Sequence, residues 1–450
     1  MPATPVGATR SGPEATAPVS VARGSVLFFA SSIVGSAGFF VAALLLARML
    51  GPSGRGTVAF ITVTALVTAR VVKVGLGQAT VVLAAQRPDA RAMLLSNLLA
   101  FSLVTSLVGV AVVGGSLYLL DAQPAGVNRT HLLILMAAIV AASLVDDNFL
   151  IGCGRLREAA AISASGGWLY AGSLAAALAT VGLSVKSAAL AWVAAHLAWA
   201  AALAGVGLRT SGLALPSPRL LAESARFASR AWVGSASQFL NARLDQILVG
   251  VIASDVTLGL YAVAVNGAEI LLFLPSAIAA SLLPAVARED DVARIERTLR
   301  TFRSASVLTL ASMVAAAGLG WMLIPRVFGP DFRDSVQPFI WLLPGALGFA
   351  AVSIFSNSLL ASRAPGLSSL GSAAALGAGV ALDVALIPVF GASGAAAAAS
   401  AAFLAGGATA AFLYRRRAGF HWLELVPTGH DVAFLRFVAA RGLPRGRGGT

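Results

Sequence analysis

The chain has 450 residues, of which 58% are apolar and 11% charged, and its formal net charge is +13. Soluble domains are nearer half apolar and a quarter charged, so this composition excludes an ordinary soluble domain and indicates a polytopic membrane protein. The single Cys153 excludes an internal disulfide, and the basic excess reads as loop charge of a membrane protein rather than nucleic-acid binding.

Residues 1–23 are read as a disordered cytoplasmic segment, because 1–20 are rich in Pro, Ala, Ser and Thr. They lack a charged start followed by an apolar core and a cleavage site. The first apolar stretch is therefore expected to act as an uncleaved insertion signal. A helix crosses hydrocarbon with about 20 mostly apolar residues. Twelve stretches qualify: 24–47, 56–83, 92–120, 131–153, 158–181, 187–208, 226–252, 257–286, 303–324, 335–361, 366–389 and 393–414. Their length, and the absence of ten-residue alternation, predicts helices rather than barrel strands. Beyond Arg415–Arg417 no 18-residue apolar run remains. Residues 415–450 read as a basic cytoplasmic tail, on the membrane surface or disordered.

Loop charge sets the expected orientation. With the N-terminus in the cytoplasm, the inner segments before residue 418 hold 18 arginines, among them Arg87, Arg91, Arg155, Arg288, Arg303 and Arg363. The outer loops hold 6 basic residues: Arg48, Arg55, Arg129, Lys186, Arg326 and Arg333. This bias places both termini in the cytoplasm. Arginine outnumbers lysine 30 to 2 and Ala and Gly abound, which suggests a GC-rich bacterial genome and the bacterial cytoplasmic membrane.

A faint internal repeat divides the chain. A shift of 203 lays 46–59 on 249–262 and Gly56 on Gly259. A shift of 209 lays Asn148 on Asn357 and Gly182 on Gly391. Two six-helix halves, 24–208 and 226–414, follow, joined by a cytoplasmic linker at 209–225. Each pair of matched stretches runs the same way, so the repeat is parallel, about an axis along the membrane normal. Such halves suggest a site between them and alternating access.

Four stretches carry a family likeness: LLLARMLGPSGRGTVAFI at 44–61, VGLGQATV at 74–81, 243–288 with Asp245, Gly259, Tyr261, Ala262, Pro275 and Pro284, and LIPVFGASGAAAAAS at 386–400. Together they resemble the polysaccharide-transport branch of the multidrug/oligosaccharidyl-lipid/polysaccharide flippase superfamily, which contains the Wzx-type O-antigen flippases. The likeness covers 24–414 and leaves the cargo open. Arg70 and Lys73 depart from it, standing where many relatives carry an acidic residue, and the tail beyond 417 has no family pattern. The resemblance implies an all-α membrane protein of twelve transmembrane helices in two six-helix bundles with a central cavity. It implies a transporter, not an enzyme, that flips a lipid-linked oligosaccharide, usually on undecaprenyl diphosphate, to the outer leaflet. No cofactor is implied. The lipid bilayer, and other polysaccharide assembly proteins, are the expected partners.

Charges inside apolar spans are costly, which makes them functional candidates. Arg70 and Lys73 are three apart on one helix face and could clamp a pyrophosphate; snorkelling toward headgroups is the other reading. Asp146 and Asp147 could pair with Arg70, Lys73 or Arg155, or couple transport to a cation. Arg243 and Asp245 point about 200° apart on a continuous helix and need separate partners. Folding 226–252 and 257–286 as a hairpin brings Arg243 within a turn of Glu269. Arg243 is then expected to face the cavity, with Glu269 either its plain ion-pair partner or the site of proton or sodium (H+ or Na+) coupling. Asp245 is read as holding helices together, turned toward Arg48, with a part in ion coupling as the other reading, and Asp383 as a helix-end or interhelical group. Arg230 is a further charged candidate. His196 and Trp199 read as packing, and Trp168, Tyr170, Trp321 and Trp341 as interfacial anchors. No His lies at metal-ligand spacing from these acids, so no metal site is expected.

Two rival functions are weaker on sequence grounds. A membrane polysaccharide polymerase or ligase needs a catalytic loop, and the loops between spans are short. A cation-coupled drug or metabolite antiporter of the same superfamily would rest on the acids rather than on Arg70 and Lys73. No P-loop is visible, so direct ATP drive is not expected.

Overall fold

The computed structural model describes residues 21–119, 126–286, 289–362 and 364–429. Of the segment 1–23 expected to be disordered, 1–20 lie outside the described residues, as do the tail from 430 onward, Arg288 and Arg363, whereas 21–23 begin the first helix. Every extended element is helical, and no strand occurs among the described residues. The helices are α1 (Val21–Val72), α2 (Leu76–Gln86), α3 (Arg91–Leu119), α4 (Arg129–Leu144), α5 (Asn148–Gly152), α6 (Leu156–Thr180) and α7 (Val185–Ser211). They continue with α8 (Pro218–Asn241), α9 (Leu244–Ile252), α10 (Asp255–Val286), α11 (Asp291–Phe328), α12 (Val336–Leu342), α13 (Gly345–Ala361) and α14 (Pro365–Ala418).

Among the described residues, seven helices are long and apolar enough to cross a membrane, or eight if α12 and α13 with the turn before them, bent by 42°, form one span. The protein is a multi-pass membrane protein. The first of these, Ala30–Val72, has 43 residues. Straight, it would run about 65 Å, twice the hydrocarbon thickness. It is not straight: Gly51 has φ 64° and ψ −174°, which ends one helical segment and starts another. Gly391, at φ 56° and ψ −130°, does the same inside α14. These are positions that only glycine occupies without strain. They fall where the sequence places the loops 48–55 and 390–392.

Several predicted spans are interrupted rather than continuous. The stretch 56–83 breaks at Lys73–Gly75, where Val74 and Gly75 have φ 45° and 71°. The stretch 131–153 breaks at Val145–Asp147, and 226–252 at Ala242–Arg243. A backbone break inside a membrane needs local polar partners for its freed groups. Each of these three breaks carries a charged residue, whereas 335–361 breaks at Leu343–Pro344 without one.

Packing rests on small residues, as lipid-facing bundles require. A Cβ on Gly38 of α1 would stand 2.5 Å from the Gly167 carbonyl carbon of α6, and one on Gly348 of α13 would stand 2.3 Å from the Phe403 carbonyl carbon of α14. α1 also packs on α4, α7 and α10, which makes it the central helix of the fold. The segment after α14 is attached rather than loose: Phe420 is buried on Tyr414, and Arg303 Nη1 donates to the Glu424 carbonyl at 2.9 Å.

Candidate substrate cavity

A cavity of about 550 Å³ lies among α1, α2, α5, α8, α10 and α13. Arg70, Lys73 and Asp146 supply its charge; Gln78, Asn148, Gln238 and Asn357 supply amides; Trp232, Phe239 and Phe349 supply aromatic faces. Asn148 and Asn357, matched in the internal repeat, both line it. So do Lys73 and Ser276, and Gly77 and Ala280, each pair 203 residues apart.

The break in α4 explains the acidic side of the cavity. Lys73 Nζ donates to the Val145 carbonyl at 2.8 Å, a carbonyl freed by the end of α4, and to Asp146 Oδ2 at 3.3 Å. Asp146 Oδ1 also accepts from the Asn148 backbone N at 3.0 Å and from its Nδ2 at 2.9 Å, which starts α5. Gly77 leaves room for this arrangement: a Cβ would stand 2.6 Å from Asn148 Nδ2 and 2.7 Å from Asp146 Oδ2, so both side chains would have to shift. Arg70 is exposed in the cavity and has no acidic partner among the described residues; its guanidinium lies 5.1 Å from the centre of the Phe239 ring. The cavity thus presents two cations to one carboxylate. Asp147 is not part of it: its Oδ2 accepts from Ser163 Oγ at 2.8 Å and ties α5 to α6.

The C-terminal charges sit apart from this cavity. Arg243, at the start of α9, forms an ion pair with Glu269 of α10. It is not among the residues lining the 550 Å³ cavity, although the adjacent Ala242 is. Glu269 and Asp245 line a separate hollow of about 60 Å³, with Asn241 and Ser400. Asp245 does not meet Arg48. It is buried, accepts a hydrogen bond from the Tyr261 hydroxyl, and accepts one from the Gln246 backbone N at 2.7 Å. The break at Ala242–Arg243 puts Asp245 in the first turn of a new helix, where a carboxylate is favoured. Arg48 instead donates to the carbonyls of Arg326 and Val327 at 2.7 and 2.8 Å, at the end of α11. Asp383 is buried near Asp245 and Tyr261, with Oδ1 unpartnered. The side chain of Arg230 lies outside the described residues.

Other positions divide the same way. His196 is buried in a stack on Trp192, ring centres 3.5 Å apart. Trp168, Trp321 and Trp341 are exposed, but Tyr170, read as an interfacial anchor, is buried. Arg55, read as an outer-loop cation, is buried as well.

About 25 Å along α1 from Lys73, the fold is closed by backbone contact. Gly56 faces the Asp255 carbonyl of α10 and Gly259 faces the Pro52 carbonyl of α1. Ser53 Oγ donates to Asp255 Oδ2 at 2.5 Å across this contact. The distance follows from 17 residues at 1.5 Å each. The cavity and the closure therefore lie toward opposite ends of the same two helices.

Comparison with known proteins agrees with this architecture. A family described as "Polysaccharide biosynthesis protein" matches residues 45–337. No curated protein matches the chain. Among solved structures, the lipid II flippase MurJ in an inward closed conformation is similar at TM-score 0.71 and 14% identity, covering 94% of this chain and 93% of that one. An inward-facing multidrug-resistance MATE transporter of the MOP superfamily is similar at TM-score 0.62 and 14% identity, over 88% and 98% of the two chains. A MOP-superfamily transporter from Pyrococcus furiosus, described by the reverse polarity of its binding pocket, is similar at TM-score 0.59 and 14% identity, over 88% and 95%. The chain belongs to the polysaccharide biosynthesis protein family and has the fold of the MOP-superfamily flippases and transporters.

Proposed function

We propose that this protein flips a lipid-linked oligosaccharide, carried on undecaprenyl diphosphate, from the inner to the outer leaflet by alternating access. The observation that carries this reading is the charge of the 550 Å³ cavity, where Arg70 and Lys73 face a single Asp146. A diphosphate needs such cations to leave water, and Arg can hold two of its oxygens while Lys acts as a point charge. The amides and aromatic faces beside them suit sugar hydroxyls and ring faces. A polyprenyl chain stays in lipid while the polar head uses the cavity.

In this reading Gly51 and Gly391 divide α1 and α14, giving twelve spans in two six-helix halves, 24–208 and 226–414. Both termini lie in the cytoplasm, so the cavity faces inward and the Gly56–Gly259 contact seals the outer side. Arg243 acts on the substrate after the cavity rearranges, and Glu269, freed from it, takes up a proton or sodium. The test is depletion of the protein in cells that make a lipid-linked oligosaccharide. Accumulation of the undecaprenyl-linked unit on the inner leaflet is expected. Undiminished export removes the flippase reading.

One observation favours a second reading. Asp245, Glu269 and Asp383 gather carboxylates in the C-terminal half, a pattern suited to a cation-coupled antiporter. Altered resistance to cationic drugs with normal oligosaccharide export selects that reading.

A further inference from the structure

Charge is not spread evenly around the 550 Å³ cavity. Its charged residues, Arg70, Lys73 and Asp146, all stand on one wall, built by α1, α2 and the turn from α4 to α5. The other wall, built by α8, α10 and α13, is polar and aromatic, with no charged lining residue among the described residues. Arg243 follows Ala242 of that wall, but it is paired with Glu269.

Most of the second wall's polarity comes from α13. Phe349, Ser353, Ser356 and Asn357 stand at i, i+4, i+7 and i+8, on one face of a largely apolar helix. At 1.5 Å per residue the stripe runs about 12 Å, longer than a single sugar ring. Ser356 Oγ is enclosed and makes no hydrogen bond, whereas Ser358 Oγ, off the stripe, donates to the Ile354 carbonyl at 3.1 Å. Asn357 uses its Nδ2 on the Ala279 carbonyl at 2.8 Å and keeps its Oδ1 as an acceptor. Gln238 of α8 stands exposed in the same wall. Phe349 is held edge-on by Phe403, ring centres 5.7 Å apart, and offers a fixed apolar face.

The charge balance limits what this wall can receive. A diphosphate diester carries two negative charges, and the two cations and one carboxylate of the cavity leave a single positive charge to meet them. An acidic sugar beside the diphosphate would leave water without a counter-charge.

We propose that the α13 stripe, with Gln238, is the saccharide subsite, and that the saccharide it takes is uncharged, built of neutral sugars rather than uronates or phosphorylated sugars. This rests on the flippase reading, in which Arg70 and Lys73 hold the diphosphate. Sugar hydroxyls both donate and accept, so they match Ser356 Oγ, the Asn357 oxygen and the Gln238 amide. The cargo then bridges the two walls, its diphosphate on one and its saccharide on the other.

Binding to the full-length protein in lipid nanodiscs tests this with three probes: undecaprenyl diphosphate, the same lipid carrying a neutral trisaccharide, and the same lipid carrying a trisaccharide with one glucuronate. The neutral probe is expected to bind roughly tenfold tighter than the bare lipid, the contribution of about one net hydrogen bond. The glucuronate probe is expected to bind no tighter than the bare lipid. Ser356→Ala removes one oxygen; it is expected to erase the neutral probe's advantage and leave the affinity for the bare lipid unchanged. Ser353→Lys adds a cation to the stripe and is expected to tighten the glucuronate probe. Equal binding of the neutral probe and the bare lipid overturns the subsite and leaves the flippase reading standing. Glucuronate binding as tight as the neutral probe's overturns the neutrality of the cargo. An undiminished advantage in Ser356→Ala overturns the placement on α13, whatever Ser353→Lys does. If no probe binds, the flippase reading falls and this proposal falls with it.

Discussion

Gly56 and Gly259 meet backbone to backbone, and the contact is reciprocal. A Cβ on Gly56 would stand 1.8 Å from the Asp255 carbonyl oxygen, and one on Gly259 would stand 1.9 Å from the Pro52 carbonyl oxygen. The residue numbers differ by 203 in both pairs, 259 from 56 and 255 from 52. This is the isologous pattern of a two-fold contact, produced here within one chain. No side chain fits at either glycine without moving a helix. Gly259→Val is expected to part α1 from α10 at this point. In a Cys153→Ser background with a cysteine placed at Asn357, a membrane-impermeant thiol reagent applied outside should label the Gly259→Val protein faster than its parent. Equal labelling would show that this contact is not the outer closure.

Lys73 holds two groups that the break in α4 exposes, the Val145 carbonyl and the Asp146 carboxylate. Asp146 keeps two bonds from Asn148 when the lysine is removed. Lys73→Ala should therefore insert and fold, with a stability loss of about 1–3 kcal/mol for the orphaned groups. Arg70→Ala with Lys73→Ala should abolish export at wild-type protein levels. Export at the wild-type rate would end the diphosphate role of these cations.

Tyr261 gives the buried Asp245 carboxylate one of its two hydrogen bonds. Tyr261→Phe leaves that oxygen without a donor and should destabilise the protein by about 1–3 kcal/mol. Asp245→Asn relieves the charge, so the double variant should lose less than the sum of the two. A thermal-melting double-mutant cycle measures this coupling. Strict additivity would show that the two side chains do not interact.

Arg87 and Glu223 tie the α2 end to α8 outside the apolar core, with bonds of 2.6 and 2.9 Å. The Arg87 hydrogen bond holds the Glu223 carboxyl below its ordinary value of 4.5. A lowered acid pKa means that the contact is fully present above 4.5 and is lost as pH falls through the lower folded value. Both groups are exposed, so salt should weaken the tie as well. Limited proteolysis within 209–217 should accelerate below pH 4.5 and in high salt, and Glu223→Gln should remove both dependences. A cleavage rate in wild type that does not respond to either condition would show that the pair does not hold α8.

The sequence made part of the candidate site legible because charge in an apolar run is conspicuous. Arg70, Lys73 and Asp146 stood out for that reason, and the structure brings all three to one cavity. Arg55 and Tyr170 did not stand out. Near predicted span ends, an arginine is read as loop charge and a tyrosine as an interfacial anchor. Their burial depends on α1 and α6 closing over them, a long-range packing event with no local signal. Asp245 was read as structural, but its partner was missed, because Tyr261 and Arg48 lie on helices whose rotation only packing sets.

What the sequence determined alone follows from local physics. Apolar run length and composition demand a multi-pass helical protein, because hydrocarbon leaves every backbone group to be satisfied within its own helix. The repeated glycines at spacings of 203 and 209 marked equivalent places in the chain. The tertiary structure alone decided where helices break inside the predicted spans, which charges share a cavity, and that Gly56 and Gly259 touch each other. Those outcomes depend on close approach between distant segments, 73 residues apart for Lys73 and Asp146 and 203 apart for Gly56 and Gly259. Lipid supplies no hydrophobic force to bring such segments together, so small-residue packing and the few polar bonds between helices choose the arrangement.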